Sequence, residues 1–507
     1  MIPLRKILLL CWLVWIASAA FAQDERPNVL FISIDDLNDW AGKFNGNPQM
    51  LTPHLDRFAE EGAVVFQNTH CAGPVCGPSR SAMMSGFMPD RTGAYGNSNN
   101  MLRSALVQEY ATLPEYFSKH GYTTINKGKI FHAHASKNGL DRGQWAWDIW
   151  LPREGGTPVD KSKYYSRREG VYGGKKIKDS PYSDPRGSEF GWGPTKGGKE
   201  DMSDYQTALW AADLLQKPSE KPFFLAVGIS KPHLPWYVPQ EYFDRYPLED
   251  VIPPVVDEND FDDVLDAEGN PAYEASLDYL WSSQTEELYK RAARAYMASS
   301  SFADDCVGVV LEGLAKSPHR DNTIVVIWGD HGWHLGEKMR YRKASLWAES
   351  TRAPMMIRLP GMTEAQDCLH AVNLLDLHPT LVDLCGLPPR TDLDGRSIAP
   401  LLEDPNQNWP YPTVTTQGYG NHSVVYEDWH YIQRSNGVNE LYHLKTDPYE
   451  HKNLIRSDHP VAAKVLAQLK NFIPTDLAPE LPKNEPGLSR EGFDMTIKKT
   501  RNLAKLK

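Results

Sequence analysis

The sequence has little cysteine, no basic excess and, after its first residues, no long hydrophobic run. Six cysteines in 507 residues are too few for a disulfide scaffold, and their spacings do not match a zinc site. Lys and Arg number 54 against 65 Asp and Glu, so the net charge of −11 argues against a nucleic-acid-binding protein that depends on bulk positive charge. No later run reaches about 18 apolar residues, which predicts no stable membrane anchor in the mature chain.

The composition is that of a large globular protein. Hydrophobic residues make up 41% of the chain and charged residues 23%, which excludes a disordered chain and supports a sizeable core. The length fits about three domains, or one large α/β domain with a smaller one.

The first 22 residues are predicted to be a secretory signal peptide. A short basic stretch precedes an apolar run from Ile7 to Ala20, and Ala20-Phe21-Ala22 fits a cleavage site. We therefore expect an exported protein, periplasmic or extracellular; the alternative is an uncleaved anchor. Cleavage removes Cys11 and leaves five cysteines. Because this number is odd, one cysteine has no partner for an intramolecular disulfide and is free or modified.

Apolar runs alternate with helical patterns along most of the mature chain. Continuous apolar runs predict buried strands at residues 28–34, 223–229, 324–328 and 355–359. Capping residues and apolar stripes predict helices at residues 53–62, 112–121, 205–215 and 289–314. This alternation predicts an α/β fold with a large, mostly parallel sheet and helices on both faces.

Two segments break this pattern. Residues 154–199 are rich in Gly, Lys, Tyr, Ser and Pro and lack periodicity, which predicts a long surface insertion that lines a substrate cleft. Residues 403–412 are rich in Pro and Asn, and three short strands are predicted beyond them. We therefore expect a catalytic domain over residues 24–402 and a smaller C-terminal domain with an antiparallel sheet over 413–507.

Polar residues follow three of the predicted strands, at the place where open parallel sheets bind ligands. Asp35-Asp36 and Asp330-His331 each follow one strand, and Lys231-Pro232-His233 follows another. Three acids and a histidine from two strand ends predict an oxygen-rich site for a hard cation such as calcium. Either pair taken alone is equally suited to cap a helix.

Cys76 lies where a helix is predicted to begin. In Cys76-Gly77-Pro78-Ser79-Arg80, Pro78 suits a first helical turn, and the helix dipole favours negative charge at its N-terminus. The residues alone leave two interpretations, a thiolate nucleophile at Cys76 or a disulfide between Cys71 and Cys76.

The C-x-P-S-R sequence at Cys76 resembles the signature of type I sulfatases. Further matches to that family extend from about residue 27 to residue 454. They include G-K-x-x-H at 128–132, K-P-H at 231–233, D-H-G-W at 330–333, and a C-terminal signature that contains Glu440-Leu441-Tyr442 and Asp447-Pro448. The set most resembles the iduronate-2-sulfatase branch.

The resemblance implies an alkaline-phosphatase-like fold with a covalently modified cysteine. Cys76 would be oxidised to formylglycine by a formylglycine-generating or sulfatase-maturing enzyme, and its aldehyde hydrate would be the nucleophile. One calcium ion would be bound by the modified Cys76 and by four further residues. These are Asp35, Asp36, Asp330 and His331, where the family often places Asn or Gln at the position of His331.

The same resemblance assigns the remaining catalytic residues. Arg80 and Lys129 would hold the formylglycine hydrate, and His132 would remove its second proton so that sulfate is expelled. His233 and Lys343 would contact the sulfate oxygens and protonate the leaving group. Without the resemblance, a lone histidine is usually structural and a basic run such as 338–343 usually faces solvent.

The expected substrate is a sulfated carbohydrate, and the branch suggests a 2-O-sulfated uronic acid. A carboxylate beside the sulfate would need a further cation, for which Arg340 and Arg342 are the candidates. Trp236, Tyr237 and Trp333 either line a sugar subsite or pack in the core. Two other functions stay open: a phosphate or phosphonate monoester hydrolase of the same superfamily, and a non-catalytic glycan-binding protein.

Overall fold

The computed structural model describes residues 26–488, apart from 45, 137–138, 142, 154, 179 and 186–187. The signal peptide expected from the sequence lies outside the described residues and stays a prediction. Within residues 26–488, no helix combines the length and the apolar composition that a membrane crossing requires.

The central sheet has eight strands among the described residues, with Asn28–Ile34 near its middle. This strand is buried throughout, with Leu30 and Ile32 in one hydrophobic cluster and Val29 and Phe31 in another. Because both of its faces are covered, its sequence is a continuous apolar run. The order across the sheet is Gln366–Cys368, Val64–Phe66, Met355–Arg358, Thr323–Gly329, Asn28–Ile34, Phe223–Ile229, Thr123–Gly128 and Ile149–Leu151.

Seven of these strands run in one direction and only Met355–Arg358 runs in the other. The predicted, mostly parallel sheet is therefore confirmed. Four parallel strands are direct neighbours: Thr323–Gly329, Asn28–Ile34, Phe223–Ile229 and Thr123–Gly128. Since they are parallel, the loops that follow them meet at one edge of the sheet.

Helices cover both faces of the sheet, as predicted. The Glu286–Ala315 helix begins after Thr285, whose side chain accepts a hydrogen bond from the Leu288 amide at 3.1 Å. It shares one hydrophobic cluster with Pro53–Glu60 and Ser203–Leu215. A second hydrophobic cluster, on the other face of the sheet, contains residues of the helices Cys76–Ser85, Leu113–Lys119 and Leu377–Leu384. Further α-helices are Pro89–Thr92, Ala105–Glu109, Gln240–Asp244, Leu277–Ser282, Ala348–Thr351, Ala399–Glu403 and Ala462–Leu469.

The segment at 154–199 is more ordered than the sequence predicts. Phe190 and Trp192 are buried, and both contact the rings of Trp236 and Trp281. The expectation of a surface insertion is wrong for this part, because its apolar residues pack against partners far along the chain. Strands of this segment form a second sheet together with Trp236–Val238, which lies outside the segment. The order across this sheet is Lys175–Lys176, Val171–Tyr172, Tyr165–Ser166, Gly191–Pro194 and Trp236–Val238.

The predicted C-terminal antiparallel sheet is confirmed, with one additional strand at its edge. Its strands are Thr413–Thr416, His422–Tyr426, Trp429–Gln433 and Asn439–His443. Two acids from this region reach the loop that precedes the Ala348–Thr351 helix. Trp347 Nε1 donates to Glu440 and the Ala348 amide donates to Glu450, both at 2.7 Å. Three small ladders complete the strands of the described residues: Thr69–His70 with Val372–Asn373, His134–Ser136 with Gly139–Asp141, and His334–Leu335 with Tyr341–Arg342.

Candidate active site

The loops after the parallel strands bring the predicted site residues together. Asp35 continues the Asn28–Ile34 strand, and its amide donates to the Ile229 carbonyl at 3.0 Å. The next residue, Asp36, turns into the left-handed region with a φ of 64°, a conformation that Asp tolerates. The Asp36 amide then donates to the Asp330 carboxylate at 3.0 Å. One backbone contact thus joins the two acidic strand ends that the sequence singles out.

Cys76 is the first residue of the Cys76–Ser85 helix and is fully buried. Lys343 Nζ donates to its sulfur at 3.1 Å, and His331 Nε2 lies 3.4 Å from it. The sulfur is 3.8 Å from Asp36 Oδ1. Cys71 and Cys76 are both free cysteines, so the structure does not form the disulfide that the sequence left open.

Arg80 connects this helix to the strand ends. Its buried guanidinium donates from Nε to Asp330 at 2.8 Å and from Nη2 to Asp35 at 3.1 Å. Nη1 donates to Ser33 Oγ and to the two carbonyl oxygens of residues 129–130. Arg80 therefore fixes the two acids in place, while its predicted contact with the modified residue stays a prediction.

The acidic cluster beside Cys76 has the composition of a cation site. Two overlapping sets place their donor atoms within 4.8 Å of one another. One set is Asp35, Asp36, Cys76 and His233, and the other is Asp36, Cys76, Asp330 and His331. The sets contain all five predicted ligands and add His233.

Two details show that these residues fit a bound cation. Asp36 Oδ2 is buried and accepts no hydrogen bond, although a buried carboxylate oxygen needs a donor or a cation. The His331 Nδ1 atom donates to the Gly332 carbonyl at 2.9 Å, so Nε2 faces the cluster and would present a lone pair to a cation once its own proton is lost. With three carboxylates, the donor set favours a hard cation.

Positive charge surrounds the sulfur of Cys76. Burial raises the pKa of this thiol, but Lys129, Lys343 and His331 together with a hydrogen bond from His132 bring the pKa well below its usual value. The position is therefore built to stabilise an anion. Burial lowers the pKa of His132 in spite of its hydrogen bond to Cys76, so the imidazole is neutral at neutral pH and can accept a proton.

The acids, in turn, attract positive charge. Burial raises the pKa of Asp330 to about 6. Although burial lowers the pKa of His331, the charge of Asp330 and the contact with Cys76 raise it to about 9. A proton on Asp330 or His331 would therefore compete with a metal cation for the same carboxylate and imidazole atoms.

Comparison with known proteins identifies the family. The family described as Sulfatase matches residues 27–387, well over half of the chain. The chain belongs to the sulfatase family. It is accordingly a sulfuric ester hydrolase, and the non-catalytic alternative is set aside. A second family, described as N-sulphoglucosamine sulphohydrolase, C-terminal, matches residues 329–476.

Relatives of this sulfatase cover most of its length. A sulfatase of Formosa agariphila is 34% identical over 84% of this chain and 82% of its own. The iduronate 2-sulfatase of Mus musculus is 31% identical over 71% of this chain and 69% of its own. The structure of the phosphonate monoester hydrolase of Agrobacterium radiobacter superposes with a TM-score of 0.66 at 18% identity, over 88% of this chain and 95% of that chain. This last likeness shows a shared fold.

The remaining catalytic candidates of the sulfatase surround Cys76. Lys343 contacts both Asp36 and the sulfur, and Lys129 contacts Asp35. His233 Nδ1 donates to the Leu234 carbonyl at 2.6 Å, which turns Nε2 toward Asp36 Oδ2 at 3.9 Å. The His233 side chain is 39% exposed, so it can reach a bound ligand. The structure brings these residues together, and their roles stay predictions.

The two arginines that were candidates for a substrate carboxylate have different surroundings. Arg342 is engaged by protein groups, because Nε donates to Asp278 at 2.5 Å and Nη1 to Ser188 at 2.6 Å. Arg340 lies over the ring of Trp347 at 5.5 Å. Their roles in substrate binding remain predictions.

The three aromatic candidates also differ in their exposure to solvent. Trp236 and Trp333 are buried, so the core interpretation is correct for these two. Lys343 Nζ lies 5.0 Å from the ring centroid of Trp333, which therefore packs beneath this lysine. Tyr237 is partly exposed and stays a candidate for sugar contact.

Two residues that support the site were not among the predicted site residues. Tyr296, in the middle of the long helix, donates its hydroxyl to the Asp36 carbonyl at 2.9 Å. Ser79 donates to the Asp330 carbonyl at 2.5 Å. Ser79 lies within the C-x-P-S-R motif, which hints at a role, whereas nothing near Tyr296 in the sequence points to Asp36.

Replacing Arg80 by methionine is expected to destabilise the sulfatase by about 3–5 kcal/mol, because two buried carboxylates lose their cationic partner. The measurement is the free energy of unfolding by urea, without added divalent cations. Arg91→Met is the control, since Arg91 pairs with Asp394 at a more exposed site, and a change of about 0–1 kcal/mol is expected there. Equal effects of the two substitutions would contradict a holding role for Arg80.

Proposed function

We propose that this sulfatase hydrolyses sulfate esters of a sulfated carbohydrate, with formylglycine formed from Cys76 and one bound calcium ion. The observation that carries the proposal is the position of Cys76. It lies at a helix N-terminus, in contact with Lys343 and His331, and its sulfur belongs to both candidate metal-ligand sets. A group that is both nucleophile and metal ligand needs this position.

Formylglycine would supply a hydroxyl that attacks sulfur, and calcium would neutralise charge on the sulfate oxygens. The protein's own residues account for the proton transfers. His132, neutral at neutral pH, accepts a proton at position 76. His233, which is partly exposed, passes a proton from Nε2 to the oxygen of the leaving alcohol. Lys343 and Lys129 hold the anionic groups in place through their ammonium groups.

The finer substrate proposal is a 2-O-sulfated uronic acid within an anionic polysaccharide. Its support is the 31% identity to an iduronate 2-sulfatase. We further propose that residues 1–22 direct export to the periplasm or the cell exterior, and that a formylglycine-generating or sulfatase-maturing enzyme modifies Cys76.

Mass spectrometry of the natively expressed protein tests the modification. Cleavage after Arg57 and Arg80 yields one tryptic peptide that carries both Cys71 and Cys76. Fragmentation is expected to place an aldehyde or its hydrate at Cys76 and an unmodified thiol at Cys71, which serves as the internal control. An unmodified thiol at Cys76 in fully active enzyme would refute the formylglycine mechanism.

A phosphate or phosphonate monoester hydrolase is the second candidate, because a phosphonate monoester hydrolase shares this fold. Aryl sulfate and aryl phosphate offered together distinguish the two. We expect faster turnover of the sulfate ester, and faster turnover of the phosphate ester would favour the second candidate.

A further inference from the structure

Arg340 lacks an acidic partner. Its Nε atom is buried and has no hydrogen-bond partner, and within the described part of the chain no acid pairs with its guanidinium. The contact with the face of Trp347, at 5.5 Å, is a cation–π interaction. A partly buried guanidinium without an anion is unfavourable, since a buried charge is normally paired.

A second arginine makes this imbalance larger. Arg434 lies over Tyr273 at 5.0 Å and over the same Trp347 at 5.9 Å. Burial lowers the pKa of Arg340, and the charge of Arg434 lowers it further, because the two guanidinium groups repel each other. The Nε atom of Arg434 is also buried without a hydrogen-bond partner.

The acid beside Arg434 is already occupied by other hydrogen-bond donors. Glu440 Oε1 lies 3.9 Å from Arg434 Nε, too far for a hydrogen bond. The same carboxylate already accepts hydrogen bonds from Trp347 Nε1 and from the hydroxyls of Tyr273 and Tyr442, at 2.7–2.9 Å. Glu440 therefore lies near Arg434 without a hydrogen bond to it, and its oxygens are occupied by other donors.

The arginine pair lies beside the loop that carries Lys343. Arg340 precedes Lys343 by three residues in the chain. Arg434 donates to Gln417 Oε1 at 3.2 Å, and Gln417 Nε2 donates to the carbonyl of Ala344, the residue after Lys343. The excess positive charge is thus tied directly to the loop that contacts Cys76.

We propose that Arg340 and Arg434 form a second anion-binding subsite, which takes a carboxylate or a further sulfate group on the substrate. The inference rests on the proposed sulfatase function and adds a selection for substrates with two anionic groups. Guanidinium groups suit either anion, because their N–H groups match two oxygens at once.

Steady-state kinetics with three substrates tests the subsite. The substrates are a small aryl sulfate, a sulfated uronic acid, and a disulfated sugar without a carboxylate. Arg340→Gln and Arg434→Gln are each expected to raise KM by roughly 10- to 100-fold for the two sugars that carry two anionic groups. This is the effect expected from the loss of one charge-assisted hydrogen bond. The KM for the aryl sulfate should change less than about twofold. A larger rise of KM for the sulfated uronic acid than for the disulfated sugar would show that the subsite binds a carboxylate. A larger rise for the disulfated sugar would show that it binds a sulfate.

Arg91→Gln is the matched control, because Arg91 also lies over an aromatic ring, that of Phe87, but is paired with Asp394. It should leave every KM unchanged. Equal changes of KM for all three substrates, or none, would overturn the subsite. A wild-type protein that turns over no sulfate ester would instead refute the proposed function.

Thermal unfolding gives a measurement that does not depend on turnover. Removing a partly buried charge that has no acidic partner, with Arg340→Gln, is expected to leave Tm unchanged or to raise it. If Arg340 served only to pack on Trp347, Tm would fall and the KM values would stay as in the wild type. That result would overturn the proposal.

Discussion

Replacing Cys76 by alanine is expected to lower the turnover of sulfate esters by about 10⁴-fold or more, as the loss of a nucleophile does. The fold should survive, because Cys76 contacts Lys343, His331 and Asp36 and belongs to none of the hydrophobic clusters of the described residues. The measurements are kcat with an aryl sulfate and Tm, and a wild-type Tm would show that the loss is catalytic.

Cys71→Ala is the matched control for this substitution. Cys71 is also buried and free, five residues earlier, but burial raises the pKa of its thiol well above the usual value. It is therefore a neutral structural thiol, and its substitution should leave kcat near the wild-type value. Full activity in Cys76→Ala would contradict both the nucleophile and the formylglycine assignment.

The sequence predicted the central sheet and the place of the site because both depend on local patterns. A strand covered on both faces must be apolar throughout, so the run at 28–34 was recognisable without any partner. Parallel neighbours end at one edge, so polar residues after two such strands, at Asp35 and Asp330, were expected to meet. Their contact through the Asp36 amide confirms that expectation.

Contacts between distant segments could not be predicted in this way. The hydroxyl of Tyr296 reaches the Asp36 carbonyl from a helix 260 residues away, and its surroundings in the sequence read only as helix. Arg340 and Arg434 likewise lie over the same ring, that of Trp347, only because the C-terminal sheet packs against the loop before this residue. Such neighbours have no shared periodicity, and only the packed structure reveals them.

The expectation of a surface insertion at 154–199 is wrong for its buried aromatic residues, and for a related reason. Its Tyr, Trp and Phe residues are isolated among Gly, Lys and Ser, so no period of two or 3.6 residues appears. Phe190 and Trp192 are nevertheless buried, because Trp236 and Trp281 supply the other half of the cluster. Aromatic residues in an irregular segment can thus be core residues when their partners lie elsewhere.

Removal of calcium is expected to abolish turnover and to lower Tm, and added calcium should restore both. Asp36 Oδ2 is buried without a hydrogen bond, so the folded protein gains a ligand interaction that the unfolded chain lacks. A ligand at about 100 times its Kd stabilises the folded state by about 2.7 kcal/mol. The measurement is Tm and aryl sulfate turnover after chelation, followed by titration with calcium.

Two substitutions locate the ion within the protein. Asp36→Asn removes one charge from the cluster at Cys76 and is expected to abolish the rise of Tm with calcium. Asp304→Asn is the matched control in a second group of possible ligands, His54, Asp304 and Asp305. There Asp304 accepts hydrogen bonds from the amides of His54 and Leu55, so its oxygens already have partners, and its variant should keep the response to calcium. If Asp304→Asn lost the response and Asp36→Asn kept it, the ion would lie away from Cys76 and the proposed role of calcium in catalysis would be refuted.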